Sequence, residues 1–356
     1  MDTPPFRDTE HLRHAFIAGL RPLLAQQSLG AFILLAANAT FDPPVLAALG
    51  PELRTQYAAL LARYRSALAA GLPLSEVEED LLVFLKIAAI DFAALQPTER
   101  RQAGPWQVQF NHLRSFRPKR ISQQPPQGIS APFEERAFHF NKPFMQREVF
   151  WRGELGGLGV DLYYNKYPFA ELHTLLVPER ERCLPQYLQR AQHDYAWRVL
   201  EQLGMTLPGV GIGYNSYGAF ASVNHLHFQL YVASAALPVE DARWQHNGGS
   251  EPYPAACTAW GDSTAAWQAI AELHRSATPY SLLYRPGRLW LFPRRPQGTL
   301  APPPWSSGFT WSEMAGAIVT FNRAAYTELD DAAVAACLRE AAAQSAGPPP
   351  AGNSAS

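Results

Sequence analysis

The stretch that most limits how this chain can fold is Ser222-Val-Asn-His-Leu-His-Phe-Gln-Leu-Tyr-Val232. It alternates as a strand does, and successive strand side chains point to opposite faces of a sheet. His225, His227, Gln229 and Tyr231 therefore line one side, while Leu226, Phe228, Leu230 and Val232 line the other and anchor the strand in a core. Neighbours in the polar row stand about 7 Å apart at about 3.3 Å of rise per residue, so a phosphate-sized group touches two of them at once.

The remaining composition narrows the class. A chain of 356 residues, 47% hydrophobic and 17% charged, holds a sizeable core in two domains or one large one. A net charge of -1 leaves no footprint for nucleic acid or an acidic membrane. Cys183, Cys257 and Cys337 are few, scattered and outside any Cys-x-x-Cys pattern, which argues against a disulfide framework or a cysteine zinc site and for a reducing cytoplasm. The start lacks the basic and apolar regions of a signal peptide. The apolar run 31–37 is far short of the roughly 20 residues that span a bilayer.

Apolar positions recur at helical spacing between Thr9 and Leu95, predicting an N-terminal helical region over 1–104, either a cap or lid or simply a packing layer. Trp106–Phe110 alternates like a strand, and a basic run follows with Arg114, Arg117, Lys119 and Arg120 inside seven positions. Such a run is either a solvated face or a gatherer of phosphate oxygens. Residues 122–130 read as a loop. Strands are expected at 137–140, 147–151, 160–164 and 173–177, a helix over 185–203, and a glycine-rich segment, 208–220, leading into the central strand. The order predicts an α+β domain over 105–235. A helix at 267–275, a hairpin from 280–284 and 288–292, and a helix at 311–319 suggest a second, degenerate α+β half over 236–340. The tail 341–356, rich in Ala, Gly, Pro and Ser, is expected to be disordered.

Histidines at i and i+2 admit three readings: core residues satisfied by hydrogen bonds, metal ligands, or a nucleophile and its supporter. A metal would need a third ligand, and Gln229 is a poor one for zinc. The surroundings favour the nucleophile. Gly209, Gly211, Gly213 and Gly218 do not make a dinucleotide fingerprint, because position 214 is Tyr and a strand follows, but they permit a turn with outward amides suited to an anion. Neutral imidazole attacks phosphorus without first losing a proton, and the phosphoramidate passes the group onward. Gln229 cannot ionise, so its amide only hydrogen-bonds the transferred group.

Gly213-Tyr-Asn-Ser-Tyr-Gly-Ala-Phe-Ala-Ser-Val-Asn-His-Leu-His-Phe-Gln229 resembles the signature of the GDP-hexose phosphorylases, the plant GDP-L-galactose and animal GDP-D-glucose enzymes. These belong to the histidine-triad superfamily, in the transferase branch where glutamine replaces the third histidine. Gln109–Arg114, Phe138–Lys142, Glu171–Pro178 and Cys183–Gln186 match in the same order, so the resemblance spans about 105 to 235.

The resemblance implies a histidine-triad-like antiparallel sheet with packed helices and a covalent nucleotidyl-histidine. His227 would be the nucleophile, His225 would support it or the leaving oxygen, and Gln229 would hydrogen-bond the intermediate. The candidate substrate-binding residues are Asn165, His173, Asn215, Ser216, Gly218, Ala219, Ser222, Arg114, Lys119 and Arg120. The expected substrates are a nucleotide sugar, foremost a GDP-hexose, or a dinucleoside polyphosphate such as diadenosine tetraphosphate, with inorganic phosphate as acceptor. No metal or other cofactor, no nucleic acid and no membrane is expected, and the protein would be a monomer or homodimer. A non-catalytic nucleotide sensor is the competing class, and the intact His227 speaks against it.

Overall fold

The computed structural model describes residues 4–74, 76–117 and 128–343. The N-terminal helices are α1 (Thr9–Leu20), α2 (Leu29–Phe41), α3 (Pro43–Ala69) and α4 (Glu78–Ile90). Asp8 and Ser28 cap the first two, each side chain accepting from the third amide beyond it. Leu12, Phe16 and Leu20 form one buried stripe on α1, whereas nearly every side chain of α2 is buried, which makes α2 the centre of this layer. Among the described residues no helix is long and apolar enough to cross a membrane.

The chain continues through β1 (Glu99–Ala103), β2 (Trp106–Phe110), β3 (Val149–Leu155), β4 (Leu158–Tyr164) and β5 (Thr174–Pro178). Then come α5 (Arg190–Gly204), β6 (Val210–Asn215) and β7 (Phe228–Val232). The second half holds β8 (Thr258–Trp260), α6 (Ser263–Arg275), β9 (Tyr280–Arg285), β10 (Arg288–Pro293), α7 (Trp311–Met314), β11 (Ala317–Thr320), α8 (Arg323–Glu328) and α9 (Asp331–Ala341). Eight strands form one sheet in the order β3-β4-β5-β7-β6-β9-β10-β8, antiparallel throughout. The second half thus extends the sheet of the first, and the architecture is α+β. A separate sheet joins β1 and β2 to β11, which runs parallel to β2.

Period-two alternation sorts the large sheet's side chains between its faces. Leu162, Leu176, Phe228, Leu230, Ile212, Leu282 and Leu291 pack in one core with α1 to α6. On the other face Tyr231, Leu283, Trp290 and Phe292 pack with Trp106, Trp311 and Val334. Further along that face, Tyr163, Val177 and Val223 pack with Phe140 and Met145. His227 and Gln229 fall in the seam between these two clusters, His227 against Phe140 and Gln229 against Trp311.

Several elements differ from the sequence expectation. The central strand begins only at Phe228, because the backbone before it is engaged by another segment: Leu226 N–H donates to Leu184 O, and His227 N–H to Gln186 Oε1. Residues 137–140 are irregular for a related reason, the Phe140 amide being directed at the His225 ring. Trp106–Phe110 is a strand, but of the small sheet. The helix expected at 311–319 stops at Met314, and Gly316 turns the chain into β11. The N-terminal helices are no lid over the polar row, since they pack on the opposite face. They buttress its edge instead: Asn38 Nδ2 donates to Asn165 O at 3.1 Å, and Lys166 pairs with Asp80 of α4. The loop residues 122–127 and the tail beyond 343 lie outside the described residues.

Candidate active site

His227 is held by backbone and ring together. Its N–H donates to Gln186 Oε1 at 2.9 Å, and Gln186 Nε2 donates back to His227 O at 3.2 Å and to Asn215 O at 3.0 Å. The ring nitrogen Nδ1 lies 2.8 Å from His225 O. A carbonyl only accepts, so Nδ1 carries the proton and Nε2 keeps its lone pair. Burial pushes the imidazole down to about 4, leaving it neutral at neutral pH. This is the state and the tautomer that a nitrogen nucleophile needs.

Of the two parts expected of His225, support of His227 or of the leaving oxygen, its contacts fit the first, and through its backbone carbonyl. Its Nδ1 accepts from Phe140 N–H at 3.2 Å and its Nε2–H donates to Arg180 O at 3.0 Å, so neither nitrogen is left for a leaving oxygen or a metal. Burial, with His227 nearby, lowers it to about 4. What His227 draws from residue 225 is the carbonyl. Arg180 is fixed in turn by Asp161 and Asn141, and Asn141 Nδ2 also reaches Arg180 O and Cys183 Sγ. The flanking motifs Phe138–Lys142 and Cys183–Gln186 thereby acquire a role as the frame around the two histidines. Among the described residues no group of three His, Cys, Asp or Glu side chains is placed to hold a metal ion.

Gln229 is clamped from two sides. The indole N–H of Trp311 donates to Gln229 Oε1 at 2.9 Å, and His173 Nε2 lies 3.2 Å from the same oxygen. Indole is only a donor, which fixes that atom as the oxygen and turns the amide N–H groups away from the clamp. His173 Nδ1 accepts from Phe169 N–H, so its Nε2 bears the proton given to Gln229, and Asn165 Nδ2 lies against the ring within 3.4 Å of both nitrogens. Burial and the Arg114 charge lower His173 to about 3. Arg114 stacks over Phe169 with its Cζ 5.3 Å from the ring centre, and donates to Tyr167 O at 2.9 Å. Burial, with Arg117 beside it, brings it down to about 10, still charged at neutral pH. His173, Asn165, Arg114 and Gln229 are thus brought together.

The glycine-rich segment is not the anion cradle the sequence suggests. Gly211 and Gly213 lie in β6, where an added Cβ would stand 2.6 Å from the Tyr231 ring and 2.1 Å from the Trp311 indole; they make room for aromatic rings. Asn215 is buried, its Oδ1 accepting from Ser281 Oγ and Trp311 N–H, both at 2.8 Å. Ser216 N–H donates to Tyr280 O, Ala219 N–H to Ser216 O, and Phe220 N–H to Gln297 Oε1. Those donors are spent within the fold. Gly218 has φ +85° and sits against Gly128 O, while Ser222 is exposed ahead of the histidines. Lys119 and Arg120 lie outside the described residues. The cavities around Phe220 and Arg294, around Asp194 and Ser263, and around Arg13 and Arg285 do not include His227, so the cleft expected over the polar row is not one of them. Gln186 and Trp311 were not among the expected site residues. Gln186 stands in a matching motif, whereas nothing in the sequence near Trp311 points to Gln229.

The antiparallel sheet presents His-x-His-x-Gln with a neutral second histidine, a histidine-triad-like arrangement. In particular, residues 104–231 match the family model for the GDPGP1-like N-terminal domain, and much of that segment is similar to GDP-hexose phosphorylases. It is 32% identical over 136 residues to the GDP-D-glucose phosphorylase 1 of Danio rerio, covering 38% of each chain. It is 37% identical over 135 residues to that of Homo sapiens, covering 34% of each. With GDP-L-galactose phosphorylase 2 of Arabidopsis thaliana it shares 38% identity over 78 residues, 22% of this chain and 18% of that one. The matches thus span well under half the length of these relatives. Among solved structures, yeast Ap4A phosphorylase Apa2 superposes with a TM-score of 0.50 at 16% identity, covering 78% of this chain and 98% of that one, a likeness of fold.

Proposed function

We propose that the protein is a nucleotidyltransferase that cleaves a nucleoside-diphosphate sugar, foremost a GDP-hexose, with inorganic phosphate. His227 Nε2 attacks the α-phosphorus, a P–N bond forms, and the bond from the α-phosphorus to the bridging oxygen breaks, releasing hexose 1-phosphate. An oxygen of inorganic phosphate then attacks the same phosphorus, the P–N bond breaks, GDP leaves and His227 returns neutral. Arg114 offers its charge to the phosphates and the Gln229 amide donates to an oxygen of the transferred group. The observation that carries the reading is the His227 tautomer, Nδ1–H on the His225 carbonyl with the lone pair on Nε2. The likeness of residues 104–231 to GDP-hexose phosphorylases supports the choice of sugar nucleotide. Three free cysteines accord with a cytoplasmic setting.

The test is incubation with GDP-, UDP- and ADP-sugars and diadenosine tetraphosphate, with and without phosphate, read by chromatography and by label transfer from the α-phosphate to protein. Phosphate-dependent formation of GDP from a GDP-hexose, with an acid-labile, alkali-stable adduct when phosphate is withheld, is the expected result. Turnover of diadenosine tetraphosphate alone would replace the sugar nucleotide as substrate, and activity without an adduct would remove His227 from the nucleophile's role.

A further inference from the structure

Trp311 lies in the second half of the chain, beyond the segment that matches the family model, yet its indole N–H ends on the side-chain oxygen of Gln229. The fold invests a good deal in that contact. Gly213, paired with Gln229 across β6 and β7, leaves a space that any Cβ would close against the indole. Tyr231 stacks on the indole with ring centroids 5.0 Å apart and planes 19° apart. The Trp311 backbone is fixed too, its N–H donating to Asn215 Oδ1 at 2.8 Å. Behind it runs a buried polar chain: Arg294 Nη1 donates to Ser281 Oγ at 3.0 Å, and Ser281 Oγ to Asn215 Oδ1 at 2.8 Å. Arg294 is 1% exposed and donates also to the carbonyls of Phe309 and Ala341.

A primary amide has two nearly isosteric orientations, and only one presents N–H groups to a phosphoryl oxygen. We infer that Trp311 is a positioning residue which, together with His173, locks the Gln229 amide so that its N–H groups and not its oxygen face the group transferred at His227. The second half of the chain thereby completes a site whose nucleophile comes from the first half. In the flipped orientation Gln229 would set its oxygen against a phosphate oxygen, two acceptors with no proton between them. A preorganised donor has the opposite effect, because it does not have to turn as charge develops. The inference rests on the proposed phosphoryl chemistry for its consequence, but the contact itself is tested without turnover.

Trp311→Phe keeps the ring stack and deletes the donor. In the active enzyme it is expected to lower kcat about tenfold with the KM values little changed, a loss smaller than that of deleting a transition-state donor outright. Gln229→Ala should abolish the effect: in that background Trp311→Phe costs nothing further, since it acts only through Gln229. Full additivity of the two losses would overturn the inference and leave Trp311 a packing residue. The second measurement is the indole N–H resonance of Trp311, identified by its loss in Trp311→Phe. It should move upfield in Gln229→Ala as its acceptor disappears, and an unmoved resonance overturns the inference whether or not a substrate has been found. If no nucleotide sugar is turned over and yet the resonance moves, the proposed function fails and the amide lock stands.

Discussion

At the residue scale, the proposed chemistry rests on one nitrogen. A free imidazole titrates near 6.5, so at neutral pH part of it is protonated and useless as a nucleophile. Burial takes His227 to about 4 and removes that loss. Adduct formation should therefore be nearly constant from pH 8 down to pH 5 and decline toward pH 4, provided it is measured as the rate of label transfer in single-turnover mixtures. A decline centred near 6.5 would mean that His227 is not held as described. His227→Ala should lose several powers of ten in rate, each about 1.4 kcal/mol of barrier, and all labelling. Arg114→Ala should raise KM for phosphate or the nucleotide sugar, about tenfold for one charge-assisted contact, while leaving the adduct chemically unchanged. Kinetics identical to the parent would make Arg114 a scaffold for Tyr167 and Phe169 only.

At the scale of elements, the segment Leu184–Gln186 substitutes for a neighbouring strand. Gln186 accepts from one backbone N–H and donates to two backbone carbonyls, all buried, and thereby carries the chain through 224–227 until β7 begins. Gln186→Leu should cost about 2–4 kcal/mol, from buried groups left without partners, read as a lower urea midpoint. Gln186→Glu keeps the acceptor for His227 N–H but offers no donor, so adduct formation should suffer in a variant that still folds. β4, β5, β9 and β10 were legible in the sequence as short apolar, β-rich runs between turn signals, which is how strands buried on both faces read, and β4 with β5 and β9 with β10 pair as neighbours along the chain. The start of β7 was not, because what replaces its ladder is a side chain from 41 positions earlier in the chain. The glycines of β6 were misread for the same reason: Gly213 reads as an anion turn until Trp311, far along the chain, occupies the space above it. The histidines and Gln229 were legible as a row, whereas the division of labour between His225 and His227 depends on which carbonyl and which amide each ring meets.

At the scale of the whole molecule, the site is a set of neutral histidines enclosed between two apolar clusters, which couples stability to pH. His225 and His227 titrate near 4 in the folded protein and His173 near 3, against about 6.5 when unfolded. Well above pH 6.5 all three are neutral in both states, and their burial carries no protonation cost. As pH falls below 6.5 the unfolded chain takes up three protons that the folded one refuses, so stability drops by about 1.4 kcal/mol per pH unit per histidine until the folded pKa values are reached. Burial lowers His112, His193, His246 and His274 in the same direction. Three carboxyls oppose this. Glu148, raised by burial to about 7, and Asp42 and Glu313, also raised by burial, hold their protons more tightly in the folded protein than in the unfolded chain, so their cost diminishes as the solution becomes more acidic. Three groups against seven leave the histidines in control between pH 6.5 and 4. The urea midpoint should therefore fall clearly from pH 7 to pH 5, and His173→Gln, which keeps a donor for Gln229 but cannot take a proton, should flatten that fall by about one proton's worth. Equal midpoints at the two pH values would show that these histidines are not held neutral, and the basis for a neutral nucleophile at His227 would go with them.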